Sequence, residues 1–535
     1  MHPQAEMDAV RAWRYDGIDE LADGVLEIAG PPVDAWAVTA TLESRGMRDV
    51  DAVERYGHRD VFELGERVLA RCLERPHPAS VVSQASRSRI VQSVRFARHL
   101  ARGTFFFVPL ALQMVALFAV GYSQWASVDF TLAQASTIAM SAGASFLATA
   151  GFVQALGYLG PLLDEPGKGF LTERLTWSLT ALAMLGAFCF GGAFVGANAL
   201  IGAYPGDLVY IGVVYYALLA ASGLANGVLY MVRSYLAMLV ATVAGIAVVV
   251  GLREGMGLEI YAAQWIGLAA SVGISLAWGA VILRRRARAT RGTLRLARFQ
   301  PRRQLVRAAA PFFCYGALYF ALVLCDRLVA WSAGNHPLPV WFDVAYELGL
   351  DVALVAVVVS LGFLEHTVEA FTDRLGPAQD RFSARAVRDH NRHFLRFYAG
   401  QLLATLTFAL VGVGLAYLAV SALATGDWLG DLERYAHGAV APRVFAWAAA
   451  GYVLLAWGLL NTTFLFSLAR PWLVVVALGL GVAVDAGVGL ALSRTGAYWE
   501  GVIGLSAGCA VFAVLSTAMA IRTLGRTDYH YVAAY

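Results

Sequence analysis

Three carboxylates recur at intervals of four in one apolar stretch: Asp343, Glu347 and Asp351. On a helix that spacing lines them along a single face. The apolar stretch before it carries an adjacent acid and base, Asp326 and Arg327, near its far end. Only a few residues join the two stretches, so the helices are antiparallel neighbours and Arg327 is within reach of Glu347 or Asp343. Carboxylates ranged against one guanidinium have two chemical uses here. They line a water-filled path, or they form an ion pair that fixes how two helices pack. A further acid, Asp485, stands between Val484 and Ala486 with no charged residue nearby in sequence. It carries a proton, faces a cavity, or meets a base from another helix, and it is the candidate for coupling to an ion. Uncharged polar residues are dense in 129–156: Gln134, Ser136, Thr137, Ser141, Ser145, Thr149 and Gln154. With Asn226 and Asn461 they suit either a hydrophilic passage or hydrogen bonds between helices.

The elements that hold these groups follow from composition. The 535 residues are 59% hydrophobic and 15% charged, against roughly 45–50% and about 25% in soluble domains. Mean hydropathy is +0.60. A soluble chain cannot bury that much apolar surface, so the expected class is all-α and polytopic in a membrane. Twelve apolar stretches read as spans, most near or above the ~20 residues that cross a bilayer. They are 104–122, 129–156, 176–200, 207–230, 235–252 and 260–283, then 306–333, 340–364, 396–422, 441–466, 471–492 and 499–522. The spacing divides them into two six-helix lobes, 104–283 and 304–523, joined by a linker at 284–303. Two blocks of this kind are a common transporter plan.

Arginine placement sets the expected orientation. The linker reads RRRARATRGTLRLARFQPRR and has no acid. The loop with Arg233, the segment 366–395 and Arg470 fall on its side. The loops opposite are short or acidic. An even number of spans then puts both termini, including the tail 524–535, in the cytoplasm, with the chain in the cytoplasmic (inner) membrane. Residues 1–30 lack the basic start and apolar core of a signal peptide, so insertion through an internal span is expected.

Residues 1–80 are of another kind. They hold 16 acidic and 9 basic residues, a net −7, while the rest of the chain carries +10. Helical periodicity in 33–42 and 61–73, with Asp60 and Glu63 at capping spacing, predicts a small cytoplasmic helical module. Residues 85–103 alternate arginines with apolar residues, as an amphipathic helix on the membrane surface does. Membrane lipids are therefore expected partners. A net charge of +3 argues against nucleic acid.

Motifs of catalysis are missing. The sequence has no Walker loop, no HExxH and no nucleophile elbow, so no enzyme activity and no cofactor are expected. Cys72, Cys189, Cys314, Cys325 and Cys509 are scattered without CxxC spacing, and neither a metal site nor a disulfide framework follows. Gly192–Gly196 and Gly504–Gly508 have the small-residue spacing of close helix contacts.

Around the seventh and eighth spans the sequence resembles the Pel polysaccharide exporter family (PelG-like proteins). That family lies within the multidrug, oligosaccharidyl-lipid and polysaccharide (MOP) flippase superfamily. The residues carrying the likeness are Tyr319, Asp326, Arg327 and Trp331, then Tyr346 and Glu347, then Glu365 and Phe371-Thr372-Asp373. Ala150 to Gln154, Tyr230 to Tyr235 and Arg526 to Tyr529 are similar as well. The likeness is diffuse and spans about residues 90–530. Residues 1–80 have no counterpart in it. It implies export or flipping of a polysaccharide or lipid-linked glycan, by two lobes that rock around a central cavity. A cytoplasmic glycosyltransferase is the partner it implies. The readings that compete with it are a small-molecule (drug or ion) antiporter of the same fold class, using Asp485, and a non-transporting membrane scaffold for a polysaccharide synthase.

Overall fold

The computed structural model describes residues 17–29, 32, 34–75, 108–163, 169–290, 302–381, 387–424 and 438–532. The amphipathic stretch 85–103, the start of the first span and most of the linker 284–303 lie outside these residues.

The N-terminal region builds four short helices: α1 (Ile18–Ala29), α2 (Ala35–Ser44), α3 (Asp49–Tyr56) and α4 (Val61–Glu74). Each start of α2 and α4 is sealed by an aspartate. Asp34 Oδ1 accepts from Ala37 N at 2.8 Å and Asp60 Oδ1 from Glu63 N at 2.8 Å. Glu63 Oε2 in turn accepts from Arg59 N at 2.7 Å, one residue before the cap. The carboxyl of Asp60 is held below its ordinary range by the Glu63 N–H and then by Arg59. Leu21, Val25, Val38, Leu42, Leu64 and Val68 form a core of their own. Burial pushes the Cys72 thiol at its edge up to about 11, so it is an inert packing group.

The remaining helices are α5 (Val108–Val120), α6 (Leu132–Leu163), α7 (Gly169–Ile201), α8 (Gly206–Met231), α9 (Tyr235–Val250) and α10 (Ile260–Thr290) in the first lobe. The second lobe has α11 (Arg302–Trp331), α12 (Val344–Arg381), α13 (Val387–Ala424), α14 (Val440–Ser467), α15 (Pro471–Thr495) and α16 (Gly501–Leu524). A last short helix, α17, covers Thr527–Val532. Eleven of these, α6 to α16, are long and apolar enough to cross a membrane. The first expected span is described only as the 13 residues of α5. The described residues contain no β-strand.

The two lobes repeat one packing scheme. Within the first, α8 packs on α6 and α10, and α9 on α10; within the second, α14 packs on α12 and α16, and α15 on α16. The repeat reaches single hydrogen bonds. Between α8 and α9, Arg233 takes φ +57° and its N–H donates to Tyr230 O, while Ser234 N donates to Leu229 O. Between α14 and α15, Ala469 takes φ +53°, its N–H donates to Phe466 O, and Arg470 N donates to Leu465 O. Two non-glycine residues in the left-handed region at matching turns mark one design used twice. By this register Tyr230 and Phe466 are equivalent.

The lobes meet along α6 and α11, which run antiparallel. At one end the Phe342 N–H donates to Ser136 Oγ at 2.9 Å; at the other, Leu159 and Leu305 share a core. Between them α11 has a glycine, Gly316, where a Cβ would lie 2.5 Å from Ala150 O and 2.7 Å from Gln154 Cγ. Only hydrogen fits there.

Candidate functional site

The site is built on α11 and α12, with walls from α14 and α15. Arg327 stands one turn from the end of α11 and is its centre. Its Nε donates to Glu347 Oε2 at 3.1 Å, and its two terminal nitrogens reach Asp351 Oδ1 at 3.4 Å, Val323 O at 2.9 Å and Tyr452 Oη at 3.3 Å. Asp326 Oδ1 lies 4.0 Å from the same guanidinium. Asp326 Oδ2 accepts from the Tyr346 hydroxyl at 2.9 Å. Exposure falls along the set: the Asp351 side chain is 48% exposed, Glu347 11% and Asp326 0%. The polar chain therefore opens at Asp351 and ends deep in the lobe.

At that deep end lies Asp485, mid-way along α15 and fully buried. Cys325 and Asp326 are its electrostatic neighbours. It fits there because α16 presents glycine. A Cβ on Gly504 would lie 2.8 Å from Asp485 Oδ1, and one on Gly508 would lie 2.7 Å from Asp485 Cβ. Neither carboxylate oxygen of Asp485 has a hydrogen-bond partner among the described residues, nor do Asp326 Oδ1 and Glu347 Oε1. Buried polar oxygens without partners are rare in folded proteins. Here two of them, on Asp326 and Glu347, lie on carboxyls beside the Arg327 guanidinium and two on Asp485 behind Asp326, an arrangement able to take up a cation or protons, or to change partners when the lobe moves.

The other sequence candidates sit elsewhere. Asp343 does not pair with Arg327. Its Oδ1 accepts from Tyr346 N at 2.8 Å, capping α12, and its Oδ2 from the Tyr498 hydroxyl at 3.0 Å. Asn461 is fully buried and fully used: Tyr398 Oη donates to its Oδ1 at 2.7 Å, and its Nδ2 donates to Ser516 and Thr517, both at 2.9 Å, and to Ala513 O at 3.3 Å. It ties three helices together and lines no passage. Gln154 lies on the lobe seam against Gly316. The hydroxyls of Thr137, Ser141 and Thr149 bond back to carbonyls one turn earlier on α6, and their side chains face Gly212 and Gly223 of α8. The expected hydrophilic passage is, at these positions, a helix-packing face. The two glycine pairs also differ. Gly504–Gly508 makes the expected close contact, whereas Gly192 and Gly196 have nothing within 4 Å.

Sequence reasoning missed Tyr452, and Tyr346 entered only through the family likeness. Both are tyrosines inside apolar runs, and only the fold brings them to Arg327 and Asp326. It also missed a buried amide network in the first lobe. The turn 121–131, which starts at Gly121 with φ +83°, folds inward. Gln113 Nε2 donates to Gln124 Oε1 at 2.6 Å, and Gln124 Nε2 to Ser271 Oγ at 2.9 Å. Gln264 Nε2 donates to Ser123 O at 2.8 Å and Ala126 O at 2.9 Å. The Tyr215 hydroxyl closes on Gln264.

On the opposite side of the molecule the N-terminal helices rest on the second lobe. The Arg526 guanidinium lies 4.6 Å over the Trp36 ring, and Tyr529 meets the same ring edge-on at 5.7 Å. His530 Nδ1 accepts from Arg470 Nε at 3.2 Å. Burial, then Arg470 and Arg526, push His530 down to about 4.

No family model matches the sequence, and no curated protein matches it significantly. Solved structures do. A variant of a Vibrio cholerae MATE transporter superposes with a TM-score of 0.55 at 16% identity, covering 82% of this chain and 97% of that one. The outward-facing conformation of a multidrug resistance MATE family transporter of the MOP superfamily gives 0.52 at 13%, covering 80% and 96%. A MOP superfamily transporter from Pyrococcus furiosus, noted for reversed polarity of its binding pocket, gives 0.52 at 14%, again covering 80% and 96%. At such identities the likeness establishes the fold.

Proposed function

We propose that this chain is a membrane transporter of MOP architecture, not an enzyme, and that it moves a polysaccharide or lipid-linked glycan across the cytoplasmic membrane. The two lobes, which repeat one packing scheme, expose a central space to one side and then the other. The observation that carries the transport reading is the Arg327 cluster within a MOP fold. Three carboxyl groups around one guanidinium, with a fourth buried behind Asp326 and oxygens left unbonded, are expensive in a membrane and are kept for function. The glycan assignment draws on the Pel-like residues, of which Tyr346, Asp326, Arg327 and Glu347 form one bonded set. The half-exposed Asp351 gives the cluster an acidic mouth suited to a partly cationic amino sugar. Both termini in the cytoplasm would set the acidic N-terminal helices where a glycosyltransferase delivers polymer.

A small-molecule antiporter is the second reading, favoured by the unbonded carboxylate of Asp485. One assay separates the two. The full chain is placed in vesicles with a fluorescent lipid-linked oligosaccharide, and its arrival on the far leaflet is read by glycosidase access. Movement of the glycan, lost at least tenfold in Arg327→Met, supports the proposal. Vesicles that move a cationic dye but not the glycan overturn it in favour of the antiporter.

A further inference from the structure

Aromatic rings form an unbroken ladder along the seam between the lobes. Tyr158 of α6 stacks on Phe312 of α11 at 4.0 Å, and Phe312 meets Phe466 of α14 at 4.9 Å. Phe466 contacts Tyr315 edge-on at 5.1 Å, and Tyr315 leads to Tyr319 at 6.2 Å. Tyr319 meets Phe320 at 5.3 Å, and Phe320 meets Phe146 of α6 at 5.6 Å. Along α11 this runs from Phe312 to Phe320, about 12 Å of rise. Two turns further on stand Asp326 and Arg327.

The ladder draws on both lobes at equivalent places. Phe466 and Tyr230 occupy the same position in the repeated turn, and the Tyr230 phenol lies within electrostatic reach of Tyr315. Tyr230 keeps 39% of its surface exposed and Phe146 37%. Among the described residues no hydrogen bond engages the Tyr315 or Tyr319 hydroxyl. Tyr315 also belongs to the core of the second lobe, with Tyr319 and Phe466 packed against it, yet a buried phenol ordinarily finds a hydrogen-bond partner and these two have none among the described residues.

We infer that this ladder is a sugar-binding track, on which the C–H faces of successive pyranose rings slide over aromatic faces while the phenols of Tyr315 and Tyr319 exchange hydrogen bonds with ring hydroxyls. The face of an aromatic ring is electron-rich and attracts polarised C–H groups, and an ammonium more strongly. Such contacts are weak, alike from ring to ring and uncharged, so a polymer can step along them without a deep trap. Few polar groups among many aromatic ones is the usual make-up of a small-ligand site. The track rests on the transport reading proposed above and names where the glycan touches the protein. It also orders the path: rings first, then the charged mouth at Asp351 and Arg327.

The test uses the full chain in lipid nanodiscs and two probes, chitopentaose and its fully deacetylated, cationic counterpart, titrated calorimetrically. Tyr319→Leu and Phe320→Leu should weaken binding of both probes at least tenfold. Tyr319→Phe, which keeps the ring, should weaken it no more than about threefold. Phe152→Leu, at the same seam but outside the ladder, should leave it unchanged. Thermal unfolding of each variant separates lost binding from lost fold, and Tyr319→Phe against Tyr319→Leu keeps the comparison informative if one is unstable. Unaltered binding in both leucine variants would overturn the track while leaving transport intact. A wild-type chain that binds neither probe overturns the track; a wild-type chain that also fails to move the lipid-linked glycan overturns the function it rests on.

Discussion

The two lobes share a packing scheme and differ in what they bury. Among the described residues of the first lobe, the buried polar groups are serine, threonine and glutamine. Gln113, Gln124 and Gln264 are bonded at least once each, to one another, to hydroxyls or to carbonyls. In the second lobe the buried set includes Asp326, Arg327, Glu347 and Asp485, with four carboxylate oxygens left without partners on three of them. A satisfied neutral network rigidifies a lobe. An unsatisfied charged one stores free energy that rearrangement or a bound cation can release. On the proposed reading, the difference assigns the first lobe the role of frame and the second that of moving chemistry.

That division is broken most forcefully at Arg327. Arg327→Met removes the cation shared by Asp326, Glu347 and Asp351. Glycan movement should fall at least tenfold, with a loss of stability on the order of 3–5 kcal/mol, read by transport in vesicles beside thermal unfolding. Gln264→Leu in the first lobe should leave transport within a few-fold, and a comparable loss there would erase the asymmetry. The next effect is steric. Gly504→Leu drives a side chain into Asp485 and should separate α15 from α16, lowering the melting temperature by several degrees, whereas Gly192→Leu, which meets open space, should change nothing measurable. Asn461→Leu should cost about 2 kcal/mol, four bonds at roughly 0.6 each, without altering the transport rate of the folded fraction.

The smallest effect belongs to the docking of the N-terminal helices. His530 is held near 4 in the folded protein, below its ordinary value of 6.5. A depressed histidine contributes its full stabilisation above 6.5 and loses it as pH falls toward 4, because the released form takes up the proton first. Hydrogen exchange at α2 and α17, taken relative to its intrinsic rate at each pH, should therefore quicken between pH 6.5 and 4. Trp36→Ala should quicken it at pH 7.5 already.

Much of this was legible in the sequence. Apolar runs long enough for a bilayer gave the all-α membrane class, and the i, i+4 acids opposite Asp326-Arg327 marked side chains that meet, although α11 packs on α15 and α12 on α14 rather than closely on each other. Helix ends were harder. Hydropathy reports the thickness of hydrocarbon, so a span expected at 340–364 continues as helix to Arg381. Glycine spacing did not separate Gly504–Gly508 from Gly192–Gly196, because only packing tells a central helix from a peripheral one. Of the ladder, Phe312, Tyr315 and Tyr319 share a helical stripe that can be read directly. Their partners Tyr158 and Phe466 lie over 150 residues away on either side of that stripe and need the fold.

The account turns on lobes that part and close along α6 and α11, and a reversible lock tests that directly. Ser136→Cys and Phe342→Cys place thiols at the end of the seam where the Phe342 N–H meets Ser136 Oγ at 2.9 Å, in a background where the exposed Cys189 is serine. Oxidation should stop glycan movement in vesicles and reduction should restore it. Transport that continues at the wild-type rate with the seam covalently closed would contradict alternating access through these lobes.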